Sequence, residues 1–270
     1  MDETTVDNLN RPQAYARVAK VRDRLWEVDA LRGVAVVMMV IYHFLYDLYY
    51  FRLTDVIFTN PFWFYFQRTT ATLFIALMGL SLALRQGRSS GHTTYWTLAK
   101  RGLQLVGWGL AISAVTWLSL GQDLYIRFGI LHFMGVSILL SYPFLRWCWV
   151  NIGLGILLIG VGIWLQQFRF DPPWSYLFWL GLEPANHTYV DFFPFVRWFG
   201  VVLIGIGIGN WLYTKGERQF PLIDLSLAPP IIALRTLGRH TLPIYLLHQP
   251  VLLALLVIGF WLWGVMNPSF

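Results

Sequence analysis

The sequence predicts an all-α, polytopic membrane helical bundle of about seven transmembrane helices, with the N-terminus inside and the C-terminus outside. Three observations predict it. The 270 residues are 57% hydrophobic and only 13% charged, with a mean hydropathy of +0.55, far from the balance of water-soluble domains. Windows of roughly 20 mostly apolar residues, enough to cross a bilayer, fall near 29–51, 62–84, 96–118, 126–146, 148–167, 192–213 and 238–264. Basic residues alternate between sides. Arg11, Arg17, Lys20, Arg22 and Arg24, then Arg85, Arg88, Lys100 and Arg101, then Arg146, then Lys215, Arg218, Arg235 and Arg239 mark cytoplasmic faces, while loops 52–61, 119–125 and 168–191 are poor in Lys and Arg.

Each element follows from local composition. Residues 1–24 are polar and basic and lack the apolar core of a cleavable leader. They are expected to be a cytoplasmic segment, with the first window serving as insertion signal and 25–270 forming one transmembrane domain. Loop 168–191 holds Asp171-Pro172-Pro173, Glu183-Pro184, Asn186-His187 and several aromatics, a composition suited to a structured lid. Within it 174–182 is too short to cross and is expected at the interface or over the bundle. The inner loop 214–237, with Pro221, Pro229 and Pro230, is expected to skirt the cytoplasmic surface. Gly153, Gly155, Gly160 and Gly162, and Gly205, Gly207 and Gly209, lie inside apolar windows with no preceding strand; small residues at such spacing allow close helix packing and do not form a phosphate loop.

Composition also excludes functions. The net charge of +6 is spread over short loops that match topology signals, so no nucleic-acid partner is expected. The single cysteine, Cys148, allows no internal disulfide and reads as a packing residue. The 14 tryptophans fit membrane interfaces and need no cofactor.

Ionisable residues at bilayer depth are costly, and they mark substrate or proton sites. The first window, LWEVDALRGVAVVMMVIYHFLYDLYYF, carries Arg32, His43 and Asp47. At 100° per residue the eleven-residue step from Arg32 to His43 returns to nearly the same helix face, and Asp47 stands one turn beyond. His43 is expected in the outer half of the membrane, with Asp47 able to orient and charge its imidazole. Arg32 lies about 16 Å away along the axis, comparable with a pantetheine arm joining a nucleotide to a thioester. Other windows bring further polar groups to middle or outer depth: Arg68 in the second, Arg127 and His132 in the fourth, Asp191 and Arg197 in the sixth and His248 in the seventh. Each alone fits an interhelical hydrogen bond; their convergence points to a site. His92, His187 and His240 fall in loops or at window ends and are assigned no chemistry. A metal site from His43, Asp47, His132 and His248 lacks any fixed ligand spacing, so no metal is expected.

The stretch Trp26-Glu27-Val28-Asp29-Ala30-Leu31-Arg32-Gly33, followed by Tyr42-His43-Phe44, resembles the opening span of membrane acyltransferases, including the family-3 acyltransferases, in which an arginine and a histidine are separated by ten residues. LFIALMGLSLALR and LGRHTLPIYLLHQPVL resemble later spans of that superfamily, and HFLYDL with IRFGILHFMGVS resembles the bacterial members of the heparan-α-glucosaminide N-acetyltransferase-like catalytic domain family. The resemblance implies a coenzyme A thioester, most simply acetyl-CoA, entering from the cytoplasm. It implies an acyl group delivered to an amine or hydroxyl, often on a sugar or glycoconjugate, at the outer face of a bacterial plasma membrane. On it, Arg32 helps hold the coenzyme and His43 is the catalytic base; the reading of the polar groups adds Asp47 as catalytic partner, Asp29 and Arg68 at the coenzyme, and Arg127, His132, Asp191, Arg197 and His248 at the acceptor. Lysosomal relatives place the working histidine after the first span; this chain has none between His43 and His92, so the assignment follows the family-3 pattern. Membrane lipids are the surroundings, and a homodimer is left open. A transporter or flippase with a polar path is the alternative, disfavoured by the absence of an internal repeat or paired broken helices.

Overall fold

The computed structural model describes residues 25–89, 94–185 and 189–266, and among them no strand forms. The helices are α1 (Trp26–Tyr50), the one-turn α2 (Val56–Thr59), α3 (Pro61–Arg88), α4 (Tyr95–Leu120), α5 (Ile130–Leu140), α6 (Trp149–Leu165), α7 (Phe195–Leu212), α8 (Pro229–Arg239) and α9 (Thr241–Met266), with 3₁₀ turns at Tyr142–Phe144, Trp174–Leu180 and Thr214–Gly216. Five of them, α1, α3, α4, α7 and α9, are long and apolar enough to cross a membrane. The chain is an integral membrane protein.

Two expected windows yield shorter helices. The fourth, 126–146, gives only the 11 residues of α5, about 16 Å of helix against a hydrocarbon core of roughly 30 Å. The peptide preceding it is bound elsewhere: the Ser113 hydroxyl donates to the Ile126 carbonyl at 2.5 Å, and the Ile126 N–H donates to Thr116 Oγ1 at 3.2 Å. The fifth gives the 17 residues of α6. The last, 238–264, is preceded by a separate helix. Pro229 and Pro230 start α8, which ends at Arg239, and after His240 α9 begins anew at Thr241. The segment 174–182, expected to be too short to cross, holds a short 3₁₀ element over Trp174–Leu180. Residues 1–24, His92, Asn186 and His187 lie outside the described residues.

The chain folds as two compact units, one taking in the chain up to Val37 together with residues from Leu225 onward, the other running from Met38 to Asp224. In the first, α8 packs on the start of α1 at backbone distance. A Cβ on Gly33 would overlap the Leu234 carbonyl, and one on Gly238 would overlap the carbonyl of Asp29.

In the second unit α7 is central. Against α3 it runs parallel: a Cβ on Gly205 would overlap the Ala76 carbonyl, Gly209 meets Leu80, and Gly216 meets Arg88 beside Gly87. Against α6 it runs antiparallel, with Gly200 on Gly155 and Arg197 on Gly162. The α4–α5 hairpin packs antiparallel as well, Gly102 against Gly135 and Gly109 against the His132 ring. Such contacts suit a solvent with no hydrophobic push between helices, where close van der Waals approach supplies the attraction. Val202, Leu203 and Ile206 of α7 are fully enclosed, whereas Leu103, Leu110 and Leu118 of α4 remain exposed, as lipid surroundings allow. Asn151 and Asn210 close the turn between α5 and α6: Asn151 Nδ2 donates to the carbonyls of Phe144 and Trp147, and Asn210 Nδ2 to those of Leu145 and Trp147. Cys148, whose thiol donates to the Gly207 carbonyl at 3.4 Å, packs there.

Replacing Gly205 by Ala is expected to lower the unfolding midpoint of the detergent-solubilised protein, because overpacking of this kind costs about 1–3 kcal/mol. Gly107 has open space beside it, so Gly107→Ala should be neutral or stabilising through helix propensity. Equal midpoints for the two variants, read by tryptophan fluorescence on heating, would contradict the α3–α7 contact.

Candidate active site

At the start of α1, Asp29 is 4% exposed, a depth at which a carboxylate needs compensation. Its Oδ1 accepts from Arg32 Nη1 at 2.9 Å, one turn along the helix, and its Oδ2 accepts from Arg239 Nε at 3.3 Å. Asp29 is therefore the anchor that holds two guanidinium groups, each still partly exposed. The sequence marks Arg239 only as a cytoplasmic-face residue and gives it no place in the site. The signal that points to it is the demand of a buried carboxylate for countercharge, but which of several inner arginines answers depends on α8 lying against α1 through Gly238.

Further along α1, Asp47 is 2% exposed and His43 half-buried. They stand one turn apart, at the spacing where helical side chains meet. Tyr42 sets its ring edge toward His43 at 6.1 Å between centroids, and it also feels the charge of Arg68 from α3.

Arg68 and Arg197, which the sequence reading placed with different ligands, are brought together. The pairs Ala76–Gly205, Leu80–Gly209 and Gly87–Gly216 are each separated by the same stretch of chain, and that same stretch separates Arg68 from Arg197, so two parallel helices in this register carry the two arginines at one level. Arg197 is close enough to feel the Arg68 charge. Arg197 Nη1 donates to Gln166 Oε1 at 2.9 Å and its guanidinium lies 5.6 Å from the centre of the Trp198 ring. Arg68 lies 5.2 Å from the centre of the Phe64 ring, and its buried Nε has no hydrogen-bond acceptor.

Three other candidates gather around the start of α5. Asp191 Oδ2 accepts from the Ile130 N–H at 3.2 Å, placing a negative charge on the positive end of the helix dipole. His132 is 6% exposed, stacks with Phe128, and has Nε2 at 3.5 Å from Ser113 Oγ, while its Nδ1 is buried without a partner. Arg127 Nη2 donates to the Gln122 carbonyl at 3.3 Å and the guanidinium sits 5.1 Å from the centre of the Tyr125 ring. Arg127 and His132 thus point into different surroundings. His248, on α9 in the other unit, directs Nδ1 to the Tyr245 carbonyl at 2.7 Å.

The loop after α6 covers this region with aromatic rings. Phe178 stacks on Tyr189 at 5.1 Å and 11°, and Trp179 contacts Phe128 and Phe195. Burial pushes the Glu183 carboxyl above the usual range against the pull of Arg169. It raises the Tyr189 hydroxyl too, with the Arg127 charge opposing, so Arg127 lies within electrostatic reach of this loop. Among the described residues no group of three or more His, Cys, Asp or Glu is arranged to hold a metal ion.

Compared with known proteins, residues 24–250 match the model of the family described as heparan-alpha-glucosaminide N-acetyltransferase, catalytic. No curated protein and no solved structure matches the chain.

Asp191→Ala should lower the unfolding midpoint by removing a helix cap worth about 1 kcal/mol, and Asp191→Asn should keep the hydrogen bond and lose less. An unchanged midpoint for the alanine variant would show that the cap contributes nothing.

Proposed function

The chain belongs to the heparan-alpha-glucosaminide N-acetyltransferase catalytic family and is a transmembrane acetyltransferase, and from that premise we propose that it moves an acetyl group from cytoplasmic acetyl-CoA to an amine or hydroxyl of a sugar-type acceptor at the outer face. The observation that carries this reading is α1 itself, an unbroken helix from Trp26 to Tyr50 with Arg32 and His43 on one face about 16 Å apart. Arg32, near the basic inner side, would meet the phosphates of the coenzyme with its planar fork, while Asp29 holds that fork in place. His43 lies toward the outside, where the thioester and the acceptor would meet. The orientation, N-terminus in and C-terminus out within a bacterial plasma membrane, and a single transmembrane domain over 25–270 belong to the same proposal.

The chemistry follows from the groups at hand. The acceptor nitrogen or oxygen attacks the thioester carbonyl as His43 takes its proton. A C–N or C–O bond forms, the C–S bond breaks, and the departing thiolate recovers the proton from the imidazolium, giving free coenzyme A and the acetylated acceptor. Asp47, almost fully enclosed, favours the imidazolium that exists between the two transfers. Holding thioester, base and acceptor in one place supplies the proximity that a bimolecular reaction lacks. Arg127, His132 and Asp191 support the acceptor side through the geometry of the α5 start, and His248 belongs to the same proposal on α9.

His43→Ala should reduce acetyl transfer by about 10²-fold or more while the protein still inserts and binds acetyl-CoA. Asp47→Asn should reduce it less, since shape and one acceptor oxygen remain. Radiolabelled acetyl transfer and direct acetyl-CoA titration measure the two effects, and full turnover by the alanine variant would sink the assignment. Arg32→Ala should weaken acetyl-CoA binding, with Arg32→Lys restoring only part. In oriented vesicles, transfer supported by acetyl-CoA supplied only from the outside, and not by acetyl-CoA trapped inside, would overturn the proposed sidedness.

A further inference from the structure

We infer that Arg68 and Arg197 together form a binding site for a phosphate-class anionic group on the acetyl acceptor, an inference that rests on the function proposed above and narrows its substrate.

The case begins with what the two guanidiniums lack. They stand at one level on parallel helices, within each other's field, both half-buried in a unit built for lipid surroundings. Two like charges in such a place are costly, and protein usually answers them with carboxylates. The same chain does so at the start of α1, where Asp29 compensates Arg32 and Arg239. Among the described residues neither Arg68 nor Arg197 has a carboxylate partner. What surrounds them is neutral: the Gln166 amide oxygen, the Trp198 face and the Phe64 face. Aromatic faces and an amide oxygen support a cation without cancelling its charge. The buried, acceptor-less Nε of Arg68 is one donor left over.

Two uncancelled guanidiniums at one level and within each other's field match a phosphate, which takes paired N–H donors from each fork. Their position selects the acceptor as its bearer. Tyr42, which feels Arg68, makes a ring contact with His43, so the anion would be held near the helix segment that carries the proposed base. Both arginines lie in the opening turns of helices that, in the proposed orientation, start at the outer face, while the coenzyme phosphates are assigned to Arg32 at the inner end.

The test titrates the purified full-length protein with four probes: inorganic phosphate, glucosamine 6-phosphate, unmodified glucosamine and acetyl-CoA. Wild-type protein should bind inorganic phosphate saturably and bind glucosamine 6-phosphate at least tenfold more tightly than glucosamine. Arg68→Gln and Arg197→Gln should each weaken phosphate binding at least tenfold and erase the preference for the phosphorylated sugar. Should a Gln variant fail to fold, the corresponding Lys variant retains the charge and should keep phosphate binding at reduced affinity. No phosphate binding by wild-type protein, or equal binding by wild type and variants, overturns the inference. So does a loss confined to acetyl-CoA, which would give the pair to the donor. Absence of acetyl transfer with phosphate binding intact counts against the proposed function and leaves this site standing.

Discussion

Where Gly205 meets the Ala76 carbonyl and Gly79 meets that of Val202, the backbones of α3 and α7 touch, and that contact governs much of the unit that runs from Met38 to Asp224. A side chain on either glycine would separate the helices and remove the van der Waals attraction that lipid cannot replace with a hydrophobic one. Contact at this distance also permits only one register. The register sets the level of every side chain on both helices, including Arg68 and Arg197. On its other flank α7 meets α6 through Gly155 and Gly162, which brings Gln166 within reach of Arg197. A few hydrogen atoms in place of side chains thus decide where the charges stand.

Charge is then handled in three ways. At the start of α1 a single enclosed carboxylate holds two arginines, one from its own helix and one from α8. At the start of α5 the Asp191 carboxylate accepts from the Ile130 backbone N–H and answers the helix dipole. Between α3 and α7 the arginines have, among the described residues, aromatic and amide neighbours without a carboxylate. The first two arrangements are closed within the protein. The third leaves positive charge available, and that of Arg68 is within electrostatic reach of Tyr42.

Much of this was legible before folding. Apolar windows located the helices because a segment of roughly 20 apolar residues has few other fates, and the ionisable residues among them were conspicuous for the cost they carry. His43, Asp47 and Arg32 could be proposed from the sequence because one helix carries them, and a helix is local geometry. Arg239 was missed and the Arg68–Arg197 pairing unforeseen because each depends on two helices far apart in the chain.

By itself, then, the sequence determined the class, the helical segments and the polar stripe of α1, since hydropathy and the 3.6-residue period act over a few turns. Only the tertiary structure decided that the fourth window shortens to 11 helical residues, because Ser113 and Thr116 claim the Ile126 peptide from another helix. It alone decided that Asp29 serves two arginines and that Arg68 and Arg197 stand at one level. Those outcomes rest on which backbones can touch, and close approach is a property of pairs of helices that no single segment encodes.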